Sequence, residues 1–212
     1  VGHTLGLRHN FKSSSIYSLE ETNNGSLKGK KPFAGSVMDY IPINMSARLG
    51  KEPQKGDHTM IDIGPYDMWA IEYGYKQFSG SEEKELKKIA SRSGEPELAY
   101  ATDEDTRGID PDPLSNRFDL GNDTVAYAKQ RAALVKELMP GIVERSTKDG
   151  EGFQQARRAF GILLANHGIA MSYASRYVGG LYVHRSHKGD AGAKAPFVVV
   201  DAKKQREALA LL

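Results

Sequence analysis

Cysteine is absent from all 212 residues. That excludes disulfide staples, thiolate zinc sites and a cysteine nucleophile. It leaves the compartment open, because reducing and oxidising locations both tolerate the absence. A surplus of either charge is also missing: 29 Lys and Arg face 27 Asp and Glu, a net charge of +2. So even a balance predicts no nucleic-acid partner and no anionic membrane surface. No apolar run in the sequence approaches the roughly 18 residues of a membrane span. Phosphate-cradling glycine loops and Ser-His-Asp arrangements are lacking too. What is present is ordinary. With 39% apolar and 26% charged residues, the chain suits a globular protein with a sizeable core. Two further absences sit at the ends. No initiator Met or signal-type segment precedes Val1-Gly2-His3, and no stop signal follows Leu209-Ala210-Leu211-Leu212. Both ends read as cut from a longer polypeptide, with any targeting signal outside it.

The first 60 residues are rich in Gly, Ser, Asn and Pro. Ser13-Ser14-Ser15 and Asn23-Asn24-Gly25-Ser26 read as loops, and Lys28-Gly29-Lys30-Lys31-Pro32 as an exposed basic turn. Helical periodicity begins after Gly64. Pro65 suits a first helical position, and Met68, Ile71, Glu72, Tyr75 and Phe78 follow at helical spacing. Ser81 is placed to cap a second helix, with Glu82 and Glu83 at its positive end. After an irregular acidic stretch, Asn122 or Asp123 starts a helix with Val125, Ala128, Ala132, Val135 and Leu138 inward, ended by Pro140 and Gly141. A longer helix, from about Gly152 to Ala174, puts Phe153, Ala156, Phe160, Leu163, His167 and Met171 on one face, with His167 read as a core histidine. Tyr177 to Pro196 reads as a loop or short hairpin, Phe197-Val198-Val199-Val200 as a short strand, and Asp201 as the cap of a last helix. The predicted fold class is mainly α with long loops.

The densest chemistry lies in Val1-Gly2-His3-Thr4-Leu5-Gly6-Leu7-Arg8-His9, which holds H-x-x-G-x-x-H. A helix carrying His3 can stop at Gly6, because glycine takes positive φ without steric cost. The turn then returns the chain so that His9 faces the same point as His3. Two converging imidazoles suit zinc, which favours nitrogen ligands in tetrahedral geometry. Further on stands Ser36-Val37-Met38-Asp39-Tyr40.

Together these segments resemble the metzincin zinc metallopeptidases, whose signature is H-E-x-x-H-x-x-G-x-x-H followed by a Met-turn. On that resemblance, His3 and His9 match the second and third zinc histidines and Gly6 the turn glycine. The first histidine and the catalytic Glu would be the two residues immediately before Val1. Met38 matches the Met-turn, a thioether floor that supports the histidines by packing. Tyr40 matches a position from which a phenol can steady the transition state. The run Gly64-Pro65-Tyr66-Asp67-Met68-Trp69-Ala70-Ile71-Glu72-Tyr73-Gly74-Tyr75 and Tyr177-Val178-Gly179-Gly180 are similar to a large bacterial metzincin group with a helical C-terminal extension.

The resemblance implies residues 1–62 as the C-terminal part of a metzincin catalytic domain and 63–212 as a helical C-terminal domain. It implies a secreted or cell-envelope parent that hydrolyses peptide bonds of peptide or protein substrates with Zn2+ and activated water. The chain alone is then expected to be inactive and to hold zinc weakly, without the first His and the Glu. A competing reading is a non-catalytic helical interaction domain of a secreted protein; any pair other than His-Glu before Val1 would favour it.

Other residues carry blander expectations. Glu72 reads as a structural anchor for a loop. His184 and His187 form H-x-x-H beside Arg185 and Lys188, cations that oppose a second metal site. The stretch Asp103-Glu104-Asp105 to Asp110-Pro111-Asp112 lacks EF-hand spacing and reads as solvated loop charge.

Overall fold

The computed structural model describes residues 1–46, 54–190 and 192–212. The fold is mainly helical. Its α-helices are α1 (Leu19–Asn23), α2 (Pro65–Tyr75), α3 (Glu82–Ala90), α4 (Thr124–Leu138), α5 (Ile142–Ser146), α6 (Gln154–Ser175) and α7 (Ala202–Leu209). Strands β1 (Leu181–Val183) and β2 (Phe197–Val199) pair antiparallel, with Leu181 opposite Val199 and Val183 opposite Phe197. The segment read as a loop or hairpin is therefore a hairpin with a long connection.

Caps form where short polar side chains can reach free helix N–H groups. Asp123 accepts from Val125 and Ala126 at 3.0 and 3.1 Å, and Asp201 accepts from Lys204 at 2.9 Å. Ser81 stands at the N-cap of α3 but makes no side-chain cap bond. Helices α4 and α6 pack through Ala128, Ala170 and Ala174, all fully buried. Alanines bring the two backbones close, so the face of α6 that is covered is the alanine face. The expected large apolar face is corrected accordingly. Phe153, Phe160 and His167 are exposed, and His167 is no core histidine. The same holds in α2, where Met68 and Tyr75 are exposed and Asp67 is the buried residue. Glu72 pairs with Lys76 at 2.7 Å and reaches Arg92 at 3.6 Å, tying α2 to the loop after α3.

The opening segment departs furthest from its composition. Asn10, Phe11, Lys12, Ser13 and Ser14 are all buried, so the serine run is interior rather than a surface loop. Burial is tolerated because each polar atom finds a partner distant in sequence. Asn10 donates to the Ala99 carbonyl and accepts from the Ala101 N–H. Ser13 Oγ donates to Asp39 and Ser14 Oγ to Asp119, both at 2.9 Å. No local periodicity encodes such pairings.

Asp39 and Asp119 are themselves interior. Burial pushes the Asp119 carboxyl up to about 7, against hydrogen bonds from Asn116 and Ser14. Burial and then Asp119 raise Asp39 well above the carboxylate range, and its Oδ1 has no partner among the described residues. An unfolded Asp titrates near ~3.9, so the fold binds an extra proton between about 4 and 7. The stabilisation is complete below the unfolded value and fades as pH rises through about 7. Urea midpoints should therefore fall from pH 5 to pH 8, and Asp119→Asn should flatten that fall. A wild-type midpoint that stays level would show that Asp119 is already charged at pH 5.

Candidate metal centre

Residues Gly2–Leu5 form one turn of 3-10 helix, capped by Gly6 at φ 81°, ψ 5°. That is the left-handed conformation glycine supplies cheaply. The chain then doubles back, and the Gly6 N–H donates to the His3 carbonyl at 3.1 Å. As a result His3 Nε2 and His9 Nε2 lie 3.2 Å apart, with the rings edge-on at 81°.

The far nitrogen of each ring is held as well. His3 Nδ1 lies 2.9 Å from the Leu7 carbonyl oxygen, and His9 Nδ1 lies 2.9 Å from Asp103 Oδ2. A carbonyl can only accept, so His3 carries its proton on Nδ1. His9's hydrogen bond, with Arg117 and Arg8 nearby, keeps the Asp103 carboxyl below its ordinary range. It is therefore an acceptor too. With both Nδ1 atoms donating, two Nε2 lone pairs face each other, an arrangement that a cation between them relieves. Zinc held tetrahedrally by imidazoles at about 2.0–2.1 Å separates their nitrogens by about 3.3 Å. The pair fits that requirement. Among the described residues no group of three His, Cys, Asp or Glu converges on one point, so the described residues supply two donors.

Met38 lies beneath the histidine turn. It is 8% exposed, and a Cβ on Gly2 would fall 2.1 Å from its Sδ, so any larger residue there would push the thioether aside. The Met38 carbonyl accepts from the Asn10 N–H at 3.1 Å, which fixes the chain just after His9. Asp67 in turn holds the Met38 segment. Its carboxylate accepts from Ser36 Oγ at 2.5 Å, the Val37 N–H at 2.8 Å and the Gly64 N–H at 2.9 Å.

Tyr40 is half exposed, its ring 4.8 Å from that of His9 and stacked on Phe118 at 5.6 Å. Phe118 takes φ 64°, a costly conformation for a bulky residue. Phenols from the helices hold that turn. Tyr173 donates to the Arg117 carbonyl at 2.6 Å and Tyr127 to the Phe118 carbonyl at 3.3 Å. The Arg117 guanidinium pairs with Asp103 at 2.9 Å and lies over Phe11 at 4.7 Å. Thus α4 and α6, remote in sequence, fix the wall against which His9 and Asp103 rest.

The acidic stretch is therefore not solvated charge. Asp103 faces His9, Asp105 pairs with Arg185, Asp110 lies near Arg176, and Asp112 is buried against Lys12. His187 lies 3.4 Å from Asp190, but neither His184 nor His187 belongs to a group of three ligand-type side chains among the described residues. Sequence reasoning missed Asp103, Arg117 and Phe118, whose contacts with His9, Phe11 and Tyr40 bridge distant parts of the chain. It also missed Asp67, which had a signal: an acidic residue at the third helical position after Gly64-Pro65, the reciprocal half of a capping box.

No curated protein and no solved structure matches the chain. The sequence does match the family described as Met-zincin, over residues 1–212. With the paired imidazoles, the glycine turn and the methionine beneath them already in view, the chain belongs to the metallopeptidase-like Met-zincin family.

Proposed function

We propose that His3 and His9 are two of the three histidine ligands of a zinc endopeptidase centre, completed by a His-Glu pair immediately before Val1. The observation that carries this reading is the 3.2 Å approach of the two Nε2 atoms with both Nδ1 atoms held elsewhere. When bound, zinc supplies a Lewis acid for the scissile carbonyl and lowers the pKa of water at the site. The chain's own residues do the positioning. Asp103 fixes the His9 tautomer and ring plane, the kind of outer-shell support that tunes a ligand. Met38 keeps the turn from sinking, in the role of a Met-turn. Tyr40, its ring 4.8 Å from that of His9, is the residue whose O–H would donate to a developing oxyanion. In this reading residues 1–62 complete the catalytic domain, and 63–212 form the helical part that braces it. Residues 47–53 of the first unit lie outside the described residues. The substrates are peptides or proteins, met in a secreted or cell-envelope setting.

Zinc content and casein cleavage test the proposal on a polypeptide in which His-Glu precedes Val1. His9→Ala should abolish both, and the 212-residue chain alone should cleave nothing. Asp103→Asn should weaken zinc binding by about 10–100-fold while leaving the fold intact. Cleavage that survives His9→Ala would refute the ligand set.

A further inference from the structure

A cavity of about 310 Å³ lies between the start of α2, the loop around Ser93 to Tyr100, and the hairpin after β1. One wall is aromatic. Tyr66 and Tyr100 stack at 5.4 Å and 12°, and Trp69 lies 5.7 Å from Tyr66 with its indole N–H fixed on the Ile89 carbonyl. The lining also carries Lys12, His184, Arg185 and Lys194, with the Arg185 guanidinium over the Tyr100 ring at 5.5 Å.

Most of that charge is already matched. Lys12 pairs with Asp112, Arg185 with Asp105, and the lining Glu95 with Arg92. The Lys194 ammonium and the His184 ring make no hydrogen bond or ion pair among the described residues. Ser93 Oγ, in the lining, is buried without a partner. The pocket therefore offers one uncompensated positive charge and an imidazole in the same lining as Tyr66 and Trp69. Its volume, at the small end of ligand sites, suits a ligand of about one residue.

We propose that this pocket binds a monoanionic aromatic ligand: a ring that packs against Tyr66 and Trp69, bearing a carboxylate that meets Lys194 and His184. A dianionic phosphate is disfavoured, because Asp112 and Asp105 already pair with Lys12 and Arg185 and the Glu95 carboxylate is itself in the lining. The chemistry has two sources, the C-terminal carboxylate of a peptide ending in an aromatic residue, or a free small aromatic acid. The pocket does not depend on the zinc reading.

Trp69 is the chain's one tryptophan, so its fluorescence reports this pocket. Titration of the full chain with N-acetyl-phenylalanine should give a saturable change in the millimolar range or below. N-acetyl-phenylalanine amide and inorganic phosphate should bind at least about tenfold more weakly, the worth of one charge-assisted contact. Lys194→Met, at an exposed position, should weaken the carboxylate by a similar factor and leave the amide unchanged. A Gly-Gly-Phe tripeptide that binds as well as N-acetyl-phenylalanine points to a peptide terminus; tighter binding of phenylacetate points to a free acid. No saturable change with any of them, equal binding of acid and amide, or tighter binding of phosphate would overturn the proposal.

Discussion

Lys12→Met is expected to lower the unfolding free energy at pH 7 by about 3–5 kcal/mol. The Lys12 ammonium and the Asp112 carboxylate are 7% and 2% exposed and meet at 2.5 Å. The ammonium also donates to the Val183 carbonyl at 2.7 Å, joining the opening segment to β1. Removing the cation leaves a buried carboxylate with only the Leu114 and Val183 N–H groups to solvate it. Breaking a buried pair from one side costs far more than the intact pair contributes. The double variant Lys12→Met, Asp112→Leu should therefore recover part of the loss. Urea unfolding of the three proteins decides it. A single-variant loss below about 1 kcal/mol would mean water reaches Asp112 freely.

Asp67→Ala should cost about 2–4 kcal/mol and should loosen the turn beneath the histidines. The carboxylate is 2% exposed and serves three donors, two of them backbone N–H groups with no other acceptor among the described residues. A buried donor left without a partner costs about 1–3 kcal/mol. Asp67→Asn keeps an oxygen acceptor and should lose roughly half as much. Hydrogen exchange at Val37 and Met38 should accelerate in Asp67→Ala beyond the change in global stability. Unchanged exchange there would show that the turn is held by other contacts. The two variants act at separate places, Lys12 on the hairpin and Asp67 on the floor of the candidate centre, so their losses should add.

Much of the helical framework was legible because its signals are local. Pro65 begins α2, Asp123 and Asp201 cap α4 and α7, and the chain after Leu138 breaks at Pro140 and Gly141, where Gly141 takes φ 68°. The histidine turn was legible for the same reason. His3, Gly6 and His9 follow one another at intervals of three, and the left-handed glycine turns the chain back between the two rings. Which helix face is covered was not legible. A 22-residue helix such as α6 offers more than one apolar stripe, and the choice fell on Ala170 and Ala174 because α4 could approach them closely. The phenylalanines stayed outside.

The sequence alone determined the family, the paired imidazoles, the glycine that turns them together, and a chain built mainly of helices. Each of those is written in residues a few positions apart, where backbone sterics and capping chemistry act. Only the tertiary structure decided that Asp103 holds His9, that Asp67 holds the Met38 turn, that Ser13 and Ser14 are interior, and that Tyr127 and Tyr173 brace a strained Phe118. Apart from Tyr127 with Phe118, nine residues apart, these are pairings across tens of residues or more. A polar side chain in such a chain reads as loop or surface until folding brings its partner within hydrogen-bonding distance, and burial then makes the pairing obligatory.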